Sequence, residues 1–126
     1  MKRPENTEYS DWYAGYVGSV QETDIISALE KQSDEIKQFF AEITDEKSLY
    51  RYAENKWTIK ELLGHIIDGE RVFAYRALRF SRNDETALAG FDENPYVAQS
   101  NFNERTLSEL VEEFVLLRQA NMFIFR

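Results

Sequence analysis

Two helix start signals, each followed by a long run of helical periodicity, constrain the fold more than any other feature of the sequence. Thr58-Ile-Lys-Glu61 and Thr106-Leu-Ser-Glu109 both match the capping box, in which a hydroxyl and a carboxylate bind free amides at the start of a helix. Apolar residues then recur at the spacing of one helix face. The sequence therefore predicts long helices over residues 58–82 and 107–125.

A third long helix is predicted over residues 24–43, because apolar side chains fall on one stripe and charges fill the opposite face. This stripe consists of Ile25, Leu29, Ile36, Phe40 and Ile43. The predicted core face of the second long helix is broader and consists of Ile59, Leu62, Leu63, Ile66, Phe73, Ala74, Ala77 and Phe80. We expect an all-α fold, a single helical-bundle domain over residues 1–126 whose three long helices leave one groove open.

Composition and charge exclude several classes of protein. The chain has no cysteine, which excludes disulfides and thiolate metal sites. Its net charge of −8 repels a phosphate backbone, so we expect no nucleic-acid partner. No apolar run approaches the length that spans a membrane, and the first residues do not read as a secretory signal. We therefore expect a cytoplasmic protein with no membrane partner.

Two segments outside the long helices are rich in aromatic residues. Residues 9–17 place aromatic side chains on one face of a short helix, and we expect this arm to pack on the bundle. Residues 83–105 are expected to form a long loop that aromatic residues pin to the bundle. A loop of this kind can wall a cavity, and Asp92 and Tyr96 are its candidates for facing a substrate.

Two charged residues interrupt the predicted core stripes. Glu70 projects from the middle of the stripe on the second long helix, and Arg118 continues the stripe of the third. A carboxylate in an apolar interior is costly unless it is paired or neutral. Because the two helices should face each other, we predict a buried Glu70–Arg118 ion pair that serves the architecture.

His65, the single histidine, is the candidate metal ligand. It lies on the flank of the second long helix, and Asp68 follows at the spacing that brings two side chains to the same side of a helix. A catalytic zinc site needs about three protein ligands, so one histidine with one aspartate stays compatible with a structural histidine in the core. Asp68 is a candidate to ligate the metal or to orient His65.

The sequence resembles the DinB/YfiT-like superfamily over most of its length. The most specific part is the pattern Trp-Thr-x-Lys-Glu-x-x-Gly-His, which ends at His65 and lies in the similar segment 56–78. The segments 90–97 and 101–107 add to the likeness. The resemblance implies an up-down four-helix bundle, commonly a homodimer, with a divalent metal (zinc or nickel) held by three side chains. Usually one histidine comes from the second helix, the place of His65, and two come from the fourth.

The sequence departs from this pattern at its carboxyl end. It stops at Arg126 without a helix-ending signal and before a fourth helix with its pair of ligands, so we expect the bundle to be incomplete. The resemblance implies a metal-dependent hydrolase or thiol-dependent transferase for a small-molecule substrate, inactive in this form because two metal ligands are missing. The alternative is a non-catalytic bundle that dimerises or binds a partner through its open groove.

Overall fold

The structure, a computed structural model, describes residues 2–126, in which no β-strand occurs. Its helices are α1 (Ala14–Ser19), α2 (Ile25–Ala41), α3 (Ile59–Ser81), α4 (Glu93–Ala98) and α5 (Leu107–Phe125). Short 3-10 turns precede α1 at Asp11–Tyr13 and follow α2 and α4 at Lys47–Leu49 and Phe102–Glu104. The prediction of three long helices is confirmed. Its largest error in a helix boundary is at the end of α2, which lies at Ala41 rather than at residue 43.

The three long helices meet around α5, which packs against both α2 and α3. The buried core consists of Leu63, Ile67, Phe102, Leu107, Leu110, Phe114 and Val115, with Ile36 and Phe40 of α2 packed against it. Full burial of one such side chain contributes about 1.5–3 kcal/mol. The helices are therefore held together mainly through their contacts with α5.

The capping boxes position the starts of α3 and α5 as the sequence predicts. The Thr58 hydroxyl accepts a hydrogen bond from the Glu61 amide at 3.0 Å, and the Thr58 amide donates to the Glu61 carboxylate at 2.7 Å. Thr106 and Glu109 make the same pair of bonds at 3.2 and 2.9 Å. Each box satisfies two amides that would otherwise lack a partner at the helix end.

Residues 83–105 are more ordered than the predicted loop, because they contain α4 and a 3-10 turn. Asn83 begins the connection with a φ of 52°, in the left-handed region that ends helices. Two arginines of α3 then hold the segment, since Arg76 donates to the Ala89 carbonyl at 3.0 Å and Arg79 to the Thr86 carbonyl at 2.7 Å. These bonds keep α4 against α3.

The aromatic arm at residues 9–17 does not pack on the bundle as expected. The side chains of Trp12, Tyr13 and Tyr16 are 70%, 52% and 65% exposed, and their rings contact one another at centroid distances of 4.9–6.4 Å. The arm is held instead by Arg3, which donates to the carbonyls of Val17 and Val20. Helical spacing correctly places these rings on a common face, but it does not show whether another element covers that face.

In residues 2–126 no helix combines the length and the apolar character that crossing a membrane requires.

Candidate functional site

The start of α3 is tied to the segment before α5 by its own motif residues. The Thr58 hydroxyl donates to the Asn103 side-chain oxygen at 2.7 Å, and the Asn103 amide group donates to Glu61 at 2.8 Å. The capping box of α3 is thus extended across the bundle to a residue 45 positions further along the chain. Sequence analysis missed Asn103, because no local signal connects an isolated asparagine with a distant helix start.

Lys60 of the same motif is a buried cation with an architectural role. Its side chain is 5% exposed, and its ammonium group donates to the Arg105 carbonyl at 2.6 Å and lies 3.5 Å from the Asp45 carboxylate. Asp45 also accepts a hydrogen bond from the Leu107 amide at 2.6 Å, at the first turn of α5. Lys60 and Asp45 therefore join the starts of α3 and α5 to the turn after α2.

Gly64 permits the Phe102 ring to pack directly against the backbone of α3. A Cβ atom added to Gly64 would lie 2.2 Å from Cδ2 of Phe102, a distance that no side chain tolerates. The Phe102 ring fills this position and is itself buried. A glycine inside a helix is unfavourable by about 1 kcal/mol relative to alanine, so its presence here follows from the close packing that it allows.

The His65 side chain makes no hydrogen bond among residues 2–126, unlike those of Thr58, Lys60 and Glu61. Its ring packs against Trp57, with centroids 5.0 Å apart and planes inclined by 44°. The side chain is half-buried, one turn before Asp68. Packing against an indole orients the imidazole but leaves its two nitrogens available to a ligand.

Asp68 lies in an environment that disfavours its charged form. Burial raises the pKa of its carboxyl group above the ordinary value; Arg71 and His65 oppose this shift, whereas the Glu113 carboxylate adds to it. The Arg71 guanidinium lies 3.8 Å from Asp68 and forms a closer ion pair with Glu113 of α5. Asp68 therefore lies within electrostatic reach of Arg71, Glu113 and His65.

These two groups do not complete a metal site. In residues 2–126 there is no group of three histidine, aspartate or glutamate side chains that could hold a metal ion. A zinc or nickel ion of the kind that the resemblance implies needs about three protein ligands. The described residues thus supply at most His65 and Asp68, and they do not fit a complete centre by themselves.

The two candidates from the 83–105 segment lie in different environments. Asp92 caps α4, where its carboxylate accepts a hydrogen bond from the Asn94 amide at 3.1 Å. Tyr96 packs against Phe91 with ring centroids 5.5 Å apart and lines a cavity of about 280 Å³ together with Arg71. Tyr96 therefore approaches the Asp68 side of the site through Arg71, whereas Asp92 is occupied by a helix cap.

Glu70 and Arg118 lie in contact inside the bundle. Arg118 donates to both carboxylate oxygens of Glu70, at 2.7 and 2.9 Å. The Arg118 side chain is only 8% exposed and the Glu70 side chain 12%. Its remaining nitrogen donates to the Leu29 carbonyl and to the Gln32 side chain of α2 at 3.1 and 3.0 Å. Asn121 donates to Glu70 at 3.1 Å. This network joins all three long helices and leaves neither charge unpaired.

The broad apolar face predicted for α3 is divided in the structure. Leu63 and Ala74 are buried, whereas Leu62, Ile66, Phe73 and Phe80 are 49%, 38%, 62% and 68% exposed. The prediction of one core face is therefore wrong, because α5 covers only one side of α3. We call the exposed part, with Gly69 between Ile66 and Phe73, the apolar stripe of α3.

The fold defines this protein as an all-α helical bundle, with a motif histidine on the second of its three long helices and an ion pair between the second and the third. A family model described as the DinB superfamily matches residues 28–121, which is most of the chain. The chain belongs to the DinB superfamily. Neither the curated proteins nor the solved structures provide a match.

Proposed function

We propose that this DinB-superfamily chain is a homotypic docking module that pairs two copies through the apolar stripe of α3. The observation that carries the proposal is the exposure of four large apolar side chains in one line. From Leu62 to Phe80 the stripe is about 27 Å long at the rise of an α-helix. Large apolar side chains exposed along one helix face are typical of a protein interface.

The spacing of small and large residues along the stripe supports a second copy as the partner. If two copies of α3 cross antiparallel at the middle of the stripe, Leu62 of one copy lies opposite Phe80 of the other. Gly69 then lies opposite Phe73. A Cβ atom added at Gly69 would meet no atom within 4 Å, so the surface at Gly69 is open to a side chain of a second copy. A two-fold interface requires this kind of self-complementarity.

The test is the oligomeric state, measured by sedimentation velocity over a range of protein concentrations. We expect the wild-type protein to sediment as a dimer and Phe73→Glu as a monomer, because a carboxylate would be buried opposite an apolar helix face. Tyr75→Glu is the matched control, since Tyr75 is 56% exposed on the same helix but lies off the stripe. It should remain dimeric. A wild-type monomer, or a dimeric Phe73→Glu variant that is still helical, would exclude the proposal.

A second candidate function is the metal-dependent hydrolysis or thiol-dependent transfer that the family resemblance implies, with a small-molecule substrate. It is favoured by the position of Asp68 one turn after His65 on α3 and by the packing of His65 against Trp57. On this proposal His65 is a ligand of zinc or nickel, and the further ligands come from outside the described residues. Since two candidate ligands do not form a centre, we assign no reaction step to the metal.

The metal proposal is tested on protein purified without added metal. Elemental analysis should find stoichiometric zinc or nickel in the wild type and its loss in His65→Ala. The matched control is Asp92→Ala, which removes the carboxylate that caps α4 and should retain the metal. If the wild type holds no stoichiometric metal even after dialysis against zinc or nickel, His65 is a structural residue and the docking function stands alone.

A further inference from the structure

A second recess on the molecule lies where the chain enters α3, and neither proposed function uses it as a binding site. It has a volume of about 550 Å³, within the range of small-molecule sites. Three aromatic side chains line it, Tyr50, Tyr52 and Trp57, with Leu62 at the side of α3. We call this recess the aromatic cavity.

The residues that line the aromatic cavity include one charged side chain, and that charge is positive. Among its lining residues Lys56 carries the one formal charge at pH 7, and no carboxylate lines the cavity. Lys56 has no ion-pair partner among residues 2–126, and its ammonium group lies 5.8 Å from the centroid of the Tyr52 ring. The whole chain carries a net charge of −8, whereas this recess is lined by a cation and no acid. Its charge favours a ligand with a negatively charged group.

The wall of the cavity that carries Lys56 and Trp57 is held in a defined conformation. Asn55, immediately before them, has a φ of 63°, in the left-handed region that costs a non-glycine residue free energy. Thr58, immediately after them, is 2% exposed and bonded to Glu61 and Asn103. The two lining residues thus project from a backbone that is fixed on both sides, which reduces the entropy lost when a ligand binds.

We propose that the aromatic cavity binds a planar aromatic small molecule that carries an anionic group. The rings of Tyr52 and Trp57 stack on the aromatic part of the ligand, and the Lys56 ammonium group pairs with its carboxylate or sulfonate. This binding needs no metal, and it goes beyond both proposed functions. Trp57, which lines the cavity, also contacts the candidate metal ligand His65.

The test uses naphthoate as the anionic probe and naphthamide as its neutral counterpart, with binding measured by isothermal titration calorimetry at low ionic strength. We expect naphthoate to bind the wild type at least about threefold more tightly than naphthamide, the contribution of one exposed ion pair. Lys56→Gln should weaken naphthoate to the level of naphthamide and leave naphthamide unchanged. Tyr52→Ala should weaken both probes, because it removes a stacking surface.

Matched controls use residues of the same type and similar exposure elsewhere on the molecule. Lys37→Gln on α2 and Tyr16→Ala on the arm should bind both probes as the wild type does. Leu62 belongs to the apolar stripe as well as to the cavity, so the titrations are repeated with Phe73→Glu and with protein treated with a chelator. Retained binding in both shows that the cavity acts independently of the docking and metal proposals.

Three outcomes would overturn the proposal. The first is that neither probe binds up to its solubility limit. The second is that both probes bind the wild type equally. The third is that Lys56→Gln and Tyr52→Ala bind them as the control variants do, which would place the probes elsewhere on the surface. Circular dichroism of each variant checks that its helices are intact, and Lys56 and Tyr52 are exposed enough for substitution without loss of the fold.

Discussion

Arg118 and Glu70 form a bidentate ion pair between α5 and α3, with Nε to Oε1 at 2.7 Å and Nη2 to Oε2 at 2.9 Å. The Arg118 guanidinium also lies 5.0 Å from the centroid of the Phe114 ring. Two charges in the interior of a three-helix assembly are tolerated because each has several hydrogen-bond partners. Through its hydrogen bonds to Glu70, Leu29 and Gln32, Arg118 links α5 to both α3 and α2.

Removal of one member of the Glu70–Arg118 ion pair should lower the free energy of unfolding more than removal of both members. Arg118→Met leaves the Glu70 carboxylate buried and without its main partner, and we expect it to lower the free energy of unfolding by about 3–5 kcal/mol. The double variant Glu70→Leu with Arg118→Met should recover most of that loss. Urea unfolding followed by circular dichroism measures both.

Arg126→Met is the control for this pair, because Arg126 is 55% exposed and binds Glu30 at the surface. Its effect should stay below about 1 kcal/mol. A double variant that is as unstable as Arg118→Met alone would contradict our account of a buried charge left unpaired.

The same substitution at two glycines of α3 should have opposite effects. Gly64→Ala places a methyl group against Phe102 and should lower the free energy of unfolding by about 1–3 kcal/mol. Gly69→Ala meets open space and should raise it by about 1 kcal/mol, the helix propensity of alanine over glycine. Urea unfolding of both variants in the Phe73→Glu background excludes any effect of association. Equal changes in the free energy of unfolding at the two positions would show that the Phe102 ring moves to accommodate the new methyl group.

Asp84 gives a pH dependence with a defined sign. The Arg79 side chain and the Thr86 amide lower the pKa of its carboxyl group from 3.8 to about 2. Because the pKa is lower in the folded protein than in the unfolded chain, the stabilisation by Asp84 is present above pH 3.8 and lost as the pH falls through about 2. The difference in stability between the wild type and Asp84→Asn should therefore shrink over this interval.

NMR titration of the Asp84 carboxyl carbon measures the pKa directly, and urea unfolding at several pH values measures the difference in stability. Glu85→Asn is the control, since Glu85 is a neighbouring exposed carboxylate without an ion pair among residues 2–126. A stability difference for Asp84→Asn that grows as the pH falls would contradict the prediction.

The long helices and the helix starts could be predicted from the sequence, because their causes are local. Thr58 with Glu61 and Thr106 with Glu109 are three residues apart, so the capping boxes can be read directly. The candidate pair of Glu70 and Arg118 also follows from helical periodicity, since both interrupt apolar stripes. The position of His65 in a motif similarly singles it out before any contact is known.

The contacts between distant segments could not be predicted in the same way. Asn103 bonds to the start of α3, and Phe102 fills the space above Gly64, but neither relation leaves a periodic signal in the sequence. The aromatic arm shows the opposite error. Its helical spacing was recognised, yet Trp12 and Tyr16 are exposed rather than packed on the bundle.

By itself, the sequence determined where α2, α3 and α5 run, how α3 and α5 begin, and which polar residues interrupt their apolar faces, because these properties depend on residues within a few helical turns. Only the tertiary structure decided which side of α3 becomes core. Leu63 and Leu62 are adjacent and equally apolar, but α5 covers the first and leaves the second at the surface. Burial depends on the neighbouring helix, and that neighbour is chosen by the packing of the whole bundle.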